Sequence, residues 1–335
     1  MDRTSAPDVR PSWREHHRPG AYLEIARVDH WFKNAFMLLG VFVALFVEPS
    51  LFGWSLVPVV ALALLATCIV ASSNYVLNET LDAAFDRKHP TKRTRPAAAW
   101  EVRRSYAIAE WLALGLLGIG LAWLLNPAFA ASAFALWAMG VLYNVRPLRT
   151  KEVPYLDVLS ESVNNPIRLV LGWFALIPDR FPPVSLLLAY WMVGAFFMAM
   201  KRFAEYREIG DKRVAARYRH SFAHYDEDRL LISLFFYAIT AALFSGVFIV
   251  RYHLELILLI PLLAGFFAWY MKLGLRPGSP VQSPERLYRE RGFLLFTLAT
   301  VLVGVLLMFT RIEGLYELFN VEMSRTPPLW TLGGS

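Results

Sequence analysis

The chain has 335 residues, of which 56% are hydrophobic and 18% are charged, and its mean hydropathy is +0.41. These values exclude an ordinary soluble domain and are typical of an integral membrane protein. The net charge of +7 would indicate nucleic-acid binding only on a soluble fold with one basic face, so we expect no nucleic-acid partner.

The apolar segments have the length of membrane-spanning helices. A spanning helix needs about 20 mostly apolar residues, whereas the strands of a membrane barrel alternate in polarity over about ten positions. The runs in this sequence are longer and apolar on all sides. The sequence therefore predicts an all-α bundle of nine transmembrane helices, at 33–47, 54–75, 105–125, 128–143, 155–177, 184–202, 229–250, 254–272 and 293–310.

The basic residues predict the orientation of this bundle. With a cytoplasmic N-terminus, the cytoplasmic segments hold 29 of the 34 Lys and Arg residues, as the positive-inside rule requires. We expect a cytoplasmic segment at 1–30, one nine-helix domain at 31–312 and a non-cytoplasmic tail at 313–335. The polar first thirty residues do not have the pattern of a secretory signal. The first helix is therefore expected to insert the chain into the cell (inner) membrane.

The first motif with chemical character lies at the cytoplasmic end of the second predicted helix. Asn78, Asp82 and Asp86 recur every four residues and therefore project from one helix face. Their oxygen atoms suit Mg²⁺, which is usually held by one or two carboxylates together with substrate phosphates. The basic residues that follow can bind phosphate oxygens: Arg87, Lys88, Lys92, Arg93 and Arg95. The positive-inside rule alone would explain these basic residues but not the carboxylates, so a diphosphate site is predicted.

The fifth predicted helix carries a second polar group. Asp157 and Glu161 are again four residues apart, and Asn164 and Arg168 follow on neighbouring turns. Ionisable residues within a span are costly and usually face a polar cavity or pair with one another. We expect a two-metal site, or a site for one metal and a diphosphate. A structural ion pair of Glu161 with Arg168 is the alternative.

A third polar run follows the sixth predicted helix. Lys201 and Arg202 lie at its cytoplasmic end, where they could reach an anionic substrate, and Glu205 is one turn further on. Snorkelling of the two basic side chains to the interface explains them equally well. The remainder, as far as Arg229, is expected to form a short amphipathic helix or lid. Nucleotide-driven transport has no support, because the sequence contains no nucleotide-binding motif.

The order of these motifs along the chain is similar to that of a known superfamily. The run "NETLDAAFDRKHPTKRTRP" from Asn78, with "WFKN" at 31–34, "KRFAE" at 201–205 and "SPERLYRERG" before the last span, resembles the UbiA superfamily of intramembrane transferases. Within that superfamily the chain is most similar to the branch of decaprenyl-phosphate phosphoribosyltransferases. Asp157, eleven residues before Arg168, and Gly172, four residues after it, belong to the same resemblance.

The resemblance implies a cytoplasm-facing cavity in which Mg²⁺ and the two acidic motifs hold a diphosphate leaving group. The donor would be phosphoribosyl pyrophosphate and the acceptor a polyprenyl phosphate. On this interpretation Asp82 and Asp86 bind the first metal with Asn78, and Asp157 and Glu161 bind a second metal or substrate hydroxyls. The residues assigned to substrate phosphates are Lys33, Lys92, Arg93, Arg95, Arg168, Lys201 and Arg202.

Two other functions stay open at the level of sequence. One is transfer of a polyprenyl group from its diphosphate to an aromatic or other small acceptor. The other is a transporter with an ion site at the membrane midplane, which predicts broken helices there. Lipid length and oligomeric state, including a homo-oligomer, are also open.

Overall fold

A computed structural model describes residues 18–87, 92–282, 287 and 289–322. Lys88, the N-terminal residues 1–17 and the tail residues 323–335 lie outside this range. Every regular element within it is helical, as predicted. The α-helices are α1 Gly20–Ile25, α2 Leu38–Val47, α3 Leu56–Asp86, α4 Arg104–Leu125, α5 Pro127–Asn144, α6 Leu156–Ser162, α7 Asn164–Phe174, α8 Val184–Ile209, α9 Lys212–Tyr218, α10 Glu227–Tyr252, α11 Ile260–Gly274, α12 Arg291–Met308 and α13 Glu313–Leu318.

Eight helical segments of the described chain are long and apolar enough to cross a membrane. The first begins with α1 and continues through a 3₁₀ segment, Val28–Met37, into α2. The seventh joins a 3₁₀ segment, Leu254–Leu259, to α11. The fifth predicted span, at 155–177, is absent from this set, because that stretch forms two shorter helices, α6 and α7. The count of nine is therefore not confirmed.

The break between α6 and α7 follows from the local sequence. Pro166 has no N–H group, so the carbonyl of Ser162 cannot receive the bond that would continue the helix. Polar side chains compete for neighbouring carbonyls: Ser162 donates to the carbonyl of Leu159 at 3.2 Å, and Asn164 donates to that of Glu161 at 3.1 Å. Helical periodicity in the sequence does not reveal this interruption.

The described chain falls into two compact units. The first runs to Arg149 and also includes Val170–Leu176, whereas the second comprises Thr150–Leu169 and the described residues from Ile177 onward. α7 therefore begins in the second unit and ends in the first. Each unit contains one of the two acidic motifs of the sequence.

The first unit brings its helices close together through small residues. A Cβ atom at Gly118 of α4 would lie 2.6 Å from Cγ2 of Val70 on α3. A Cβ atom at Gly140 of α5 would lie 2.0 Å from Oδ1 of Asn74, also on α3. Only glycine permits these approaches, so α3 is fixed between α4 and α5 along its length. The end of α3 that carries the first acidic motif is supported accordingly.

The second unit is built around α8, which packs against α10. Its core is aromatic, and the rings that pack edge to face or stacked come from α8, α11 and α12: Phe196, Phe197, Phe266, Phe267, Tyr270 and Phe293. Gly194 of α8 lets α6 and α7 approach, because a Cβ atom there would lie 2.5 Å from Nδ2 of Asn165 and 3.3 Å from Cβ of Ser162.

The connection from α8 to α10, residues 211–226, is ordered by local chemistry; we call it the 211–226 segment. Gly210 adopts a left-handed φ of 68° and ends α8. Asp211 then accepts bonds from the backbone N–H groups of Arg213 and Val214 and so caps α9. Asp226 caps α10 in the same way through the N–H of Arg229. The predicted short helix after the sixth span is thus present as α9.

Candidate active site

The first acidic motif lies on one face of the last turns of α3. Asn78 donates to Oδ1 of Asn144 at 2.6 Å, and Asp82 forms an ion pair with Arg149 at 3.0 Å. Arg149 also donates to the carbonyl of Asn144 at 3.2 Å. Asn144 ends α5, so these bonds connect the acidic face of α3 to the polar stretch that follows α5.

Asp86, one turn further on, is buried and forms an ion pair with Arg95 at 2.7 Å. Arg87 stacks its guanidinium 3.5 Å above the ring of Trp100 and donates to the carbonyl of Ala98. Arg87 and Arg95 are therefore folded back onto the end of α3 rather than extended into solvent. This arrangement brings Arg95 to the acidic face, as the sequence predicted.

Glu79 of α3 has a different set of partners from Asn78, Asp82 and Asp86. Its carboxylate is buried and pairs with Arg27 at 3.0 Å. It also accepts a bond from the backbone N–H of Ala97. Its burial and its pairing with Arg27 favour a structural role for Glu79.

The second acidic motif surrounds a buried arginine. Arg202 of α8 has 2% of its side chain exposed and pairs with three carboxylates: Glu161 at 2.8 Å, Glu205 at 3.3 Å and Asp157 at 3.5 Å. The sequence assigned Asp157, Glu161 and Arg202 to one region, and the structure brings them together. Glu161 thus pairs with Arg202, and the alternative ion pair of Glu161 with Arg168 stays a prediction. We call these four residues the Arg202 cluster.

Asp157 is held by donors from the 211–226 segment. Its side chain is fully buried, with Oδ1 accepting from the hydroxyl of Tyr225 at 2.8 Å and Oδ2 accepting from Ser221 at 3.0 Å. Arg219 adds an ion pair at 3.6 Å. Burial, and then the charge of Asp157, raises the pKa of Tyr225 above its ordinary value, so the phenol stays a hydrogen-bond donor.

The other predicted phosphate ligands are at the edges of these clusters. Arg168 donates to the carbonyl of Asn164 at 3.2 Å, and Lys33 lies 5.8 Å from the ring of Phe32. Arg93 is exposed, and Lys92 and Lys201 are partly exposed. The phosphate-binding role of each of these residues stays a prediction.

Five residues with clear roles in these clusters were missed by reasoning from sequence: Asn144, Arg149, Arg219, Ser221 and Tyr225. A signal existed for the first two, because "NVRPLR" is a polar run directly after an apolar helix. For the others the signal was weak, since they lie in a polar segment that periodicity assigns to a solvated lid. Only the fold reveals that this segment supplies donors to Asp157.

A family model described as the UbiA prenyltransferase family matches residues 34–297, a range that contains both acidic motifs. The chain belongs to the UbiA prenyltransferase family. It is an integral membrane protein of that family.

Similar UbiA-type sequences match over part of their length. The nodulation protein NoeC of Azorhizobium caulinodans is 32% identical over 193 residues, which cover 56% of this chain and 58% of that protein. A decaprenyl-phosphate phosphoribosyltransferase of Mycobacterium tuberculosis is 31% identical over 180 residues, covering 53% of this chain and 58% of that protein. The chain thus spans just under three fifths of the length of these relatives.

A solved structure has the same fold. A UbiA homolog from Archaeoglobus fulgidus bound to GPP and Mg²⁺ matches with a TM-score of 0.62 and 18% identity, over 87% of this chain and 100% of that one. The identity is low enough that the match shows the fold alone. The metal in that structure raises the question of which residues of this UbiA-family chain suit a divalent cation.

The first acidic motif has the right donor chemistry for Mg²⁺. Asp82 and Asp86 supply carboxylates one turn apart, and Asn78 supplies a neighbouring amide oxygen. Within the described ranges no three His, Cys, Asp or Glu side chains converge on one point. A pair of carboxylates is nevertheless what Mg²⁺ normally uses when substrate phosphates and water complete its shell.

The second motif offers oxygen atoms at Glu161 and Asn164. Glu161 keeps 36% of its side chain exposed, and the buried Oδ1 of Asn164 has no hydrogen-bond partner in the described part of the chain. Both could serve a cation or a hydrated ligand. Asp157, in contrast, has both carboxylate oxygens occupied by donors. The metal roles predicted for Asn78, Asp82, Asp86, Asp157 and Glu161 stay predictions.

Proposed function

We propose that this UbiA-family protein transfers a phosphoribosyl group from phosphoribosyl pyrophosphate to a polyprenyl phosphate, with Mg²⁺ as cofactor. Support comes from the similarity to a decaprenyl-phosphate phosphoribosyltransferase and from the resemblance of the sequence motifs to that branch. We also propose that the reaction takes place at the cytoplasmic side of the cell membrane. The lipid tail would lie among the apolar helices.

One observation carries this proposal: both carboxylates of the α3 face are paired with guanidinium groups. Asp82 pairs with Arg149 and Asp86 with Arg95. A site of this kind matches a divalent cation with its carboxylates and a diphosphate anion with its arginines. Because the divalent cation and the diphosphate anion enter the site together, the net charge of the site changes little. A substrate without a diphosphate would leave the arginines without this role.

The chemistry demands little beyond charge neutralisation. The bond between the anomeric carbon and the pyrophosphate oxygen breaks, and the electron pair leaves with pyrophosphate. A phosphate oxygen of the acceptor then forms the new bond to that carbon. The acceptor is already ionised at neutral pH, since the second pKa of a phosphate monoester is about 6, so no base has to remove a proton.

The residues of this chain have defined parts in that reaction. Mg²⁺, when bound, supplies positive charge to the leaving pyrophosphate. Arg95 and Arg149 would bind phosphate oxygens from fixed positions at the end of α3, and the phosphate-binding role of Arg202 is carried over from the sequence as a prediction. Preorganised charges of this kind lower the barrier by several kcal/mol, because they need no reorganisation when the pyrophosphate leaves.

Labelled substrates test the proposal directly. The protein, purified into bilayer nanodiscs, receives Mg²⁺, polyprenyl phosphate and phosphoribosyl pyrophosphate labelled in the ribose. We expect label to enter the lipid fraction, and to stop doing so in Asp82→Asn and Asp86→Asn. Asp179→Asn, whose carboxylate is exposed, is the matched control and should transfer at the wild-type rate. No label in lipid from the wild-type protein, with a prenylated small molecule formed instead, contradicts the proposal.

A second candidate is transfer of a prenyl group from its diphosphate to a small acceptor. The family description and the fold match to a homolog bound to GPP favour it. A prenyl diphosphate has the same leaving group, so the first motif would serve it equally well. Competition with GPP separates the two functions. If phosphoribose is the natural group, GPP should inhibit its transfer only at high concentration. If a prenyl group is the natural one, GPP itself should be consumed.

A further inference from the structure

We propose that Asp157 is a positioning residue, which fastens the 211–226 segment to α6 and sets the orientation of Arg202, and that it is not a metal ligand. Tyr225, Ser221 and Arg219 contact the carboxylate of Asp157 and contribute to the same attachment. The expectation that Arg202 binds the diphosphate donor rests on the proposed function. The fastening of the 211–226 segment to α6 does not depend on it.

The surroundings of Asp157 carry the proposal. The residue lies in the first turn of α6 and is completely buried. Tyr225 and Ser221 donate to different oxygens of its carboxylate, so each oxygen has one neutral donor. Arg202 and Arg219 approach Oδ2 as well. A cation at Asp157 would have to displace these donors and would be repelled by both guanidinium groups.

Tyr225 connects two parts of the second unit. Its hydroxyl donates to Asp157 and accepts from the backbone N–H of Tyr155. Tyr155 has a left-handed φ of 65° and directly precedes α6. Its ring also lies edge-on to that of Tyr225, with centroids 5.4 Å apart. One phenol thus fixes the entry to α6 and the end of the 211–226 segment at the same time.

Asp157 also limits how Arg202 can turn. The guanidinium presents Nε to Asp157, Nη1 to Glu205 and Nη2 to Glu161. Nη1 and Nη2 are hydrogen-bonded and Nε faces Asp157 at ion-pair distance, so the three carboxylates together restrict how the guanidinium can turn. Glu161 is the most exposed carboxylate of the Arg202 cluster, with 36% of its side chain accessible, against 13% for Glu205. An incoming ligand therefore meets Glu161 first, with Arg202 and Asp157 buried behind it.

Proteolysis of the full-length protein in nanodiscs tests the fastening. The 211–226 segment contains the trypsin sites Lys212, Arg213, Arg217 and Arg219. Loss of one buried hydrogen bond should raise the rate of local opening about five- to tenfold. We expect Tyr225→Phe to be cleaved in this segment faster by that factor. Tyr237→Phe is the matched control, because Tyr237 is buried near Asp157 on α10 but has no hydrogen bond to it among the described residues.

A double variant tests whether Tyr225 acts through Asp157. If the two residues share one interaction, Asp157→Asn combined with Tyr225→Phe should be cleaved no faster than the more sensitive single variant. Cleavage rates that multiply would mean that the hydroxyl acts elsewhere. Unchanged cleavage in Tyr225→Phe would overturn the fastening role.

Kinetics distinguish positioning from metal binding. A displaced Arg202 should raise KM for the diphosphate donor about tenfold in both Asp157→Asn and Tyr225→Phe. The Mg²⁺ concentration that gives half the maximal rate should stay as in the wild type. If Asp157 is a metal ligand, Asp157→Asn alone will raise that concentration at least tenfold, while Tyr225→Phe will leave both parameters unchanged. That pattern would overturn the proposal.

The two proposals fail in distinguishable ways. If the phosphoribosyl function is wrong, no label enters lipid, yet faster cleavage of Tyr225→Phe still shows the fastening. KM is then measured for the prenyl diphosphate that the enzyme consumes. If the fastening is wrong, transfer proceeds in the wild type and the cleavage rates of the wild type and Tyr225→Phe are equal.

Discussion

Arg149 forms an ion pair with Asp82 at 3.0 Å while its other terminal nitrogen donates to the carbonyl of Asn144. The side chain of Asn144 in turn accepts from Asn78. The part of α3 that carries the first motif is therefore tied to the end of α5 through Arg149 and through the bond between Asn78 and Asn144. Arg149 is 8% exposed as a residue and lies within reach of any anion that approaches Asp82.

Replacing Arg149 should impair donor binding more than folding. We expect Arg149→Gln to lower kcat/KM for the diphosphate donor roughly thirtyfold or more, since a charge-assisted hydrogen bond contributes about 2 to 3 kcal/mol. Arg149→Lys should recover part of this loss. Steady-state rates in nanodiscs measure the effect, with the exposed Arg251→Gln as control. An unchanged KM and kcat in Arg149→Gln would remove this residue from the site.

The carboxylates of α3 should determine the response to Mg²⁺. We expect Asp82→Asn and Asp86→Asn each to reduce kcat by at least about a hundredfold, as other preorganised charge sites do when one group is removed. EDTA should abolish wild-type transfer and added Mg²⁺ should restore it. Titration of Mg²⁺ against initial rate measures the change. Full activity of Asp82→Asn at wild-type Mg²⁺ concentrations would contradict the assignment.

The ion pair of Glu79 with Arg27 should matter for stability. Glu79 keeps only 3% of its side chain exposed, so Glu79→Gln leaves a cation without its buried partner and should cost about 3 kcal/mol. Thermal unfolding in detergent measures the loss. Glu24→Gln, which breaks a half-exposed pair with Arg18, should change the melting temperature little. Equal effects of the two variants would refute the structural role.

Replacing either of two glycines of α4 with alanine should change the melting temperature, in opposite directions for the two positions. A Cβ atom at Gly118 would lie 2.6 Å from the side chain of Val70 and 3.0 Å from its backbone nitrogen, whereas Gly120 has nothing within 4 Å. Gly118→Ala should therefore lower the melting temperature. Gly120→Ala should raise it, because alanine favours a helix by about 1 kcal/mol over glycine. Melting curves that coincide would show that α3 and α4 are not packed this closely.

The phenol of Tyr225 should make stability sensitive to high pH. Its pKa is raised in the folded protein by burial and then by Asp157, so the folded state holds this proton more tightly than the unfolded state. The resulting stabilisation is fully present below the unfolded pKa of about 10 and is lost as the pH rises above it. The difference in melting temperature between wild type and Tyr225→Phe should shrink above pH 10. A constant difference up to pH 11 would contradict the pKa shift.

Much of this architecture was predictable from periodicity and charge. Spacings of four residues placed Asp82 and Asp86 on one face of α3, and the structure has that face with Arg95 against it. The bundle of apolar helices followed from hydropathy alone. These features depend on local sequence, which is why a pattern can predict them.

The interruption in the fifth predicted span and the environment of Asp157 were not predictable in the same way. Hydropathy averages over a window, so it does not register that Pro166 leaves a carbonyl without its helical partner. The donors to Asp157 come from Ser221 and Tyr225, more than sixty residues further along the chain. Such long-range partners depend on tertiary packing, and one sequence does not specify them.

The buried thiol of Cys68 makes this chain convenient for mapping membrane sidedness. It is the single cysteine of the sequence, and its sulfur accepts a bond from Asn34 at 3.3 Å. A reporter thiol placed at Ser50 or Thr94, both exposed, would accordingly dominate labelling in the otherwise native background. With a bilayer-impermeant maleimide on intact cells, the predicted orientation requires Ser50→Cys to react and Thr94→Cys to be protected until the cells are opened.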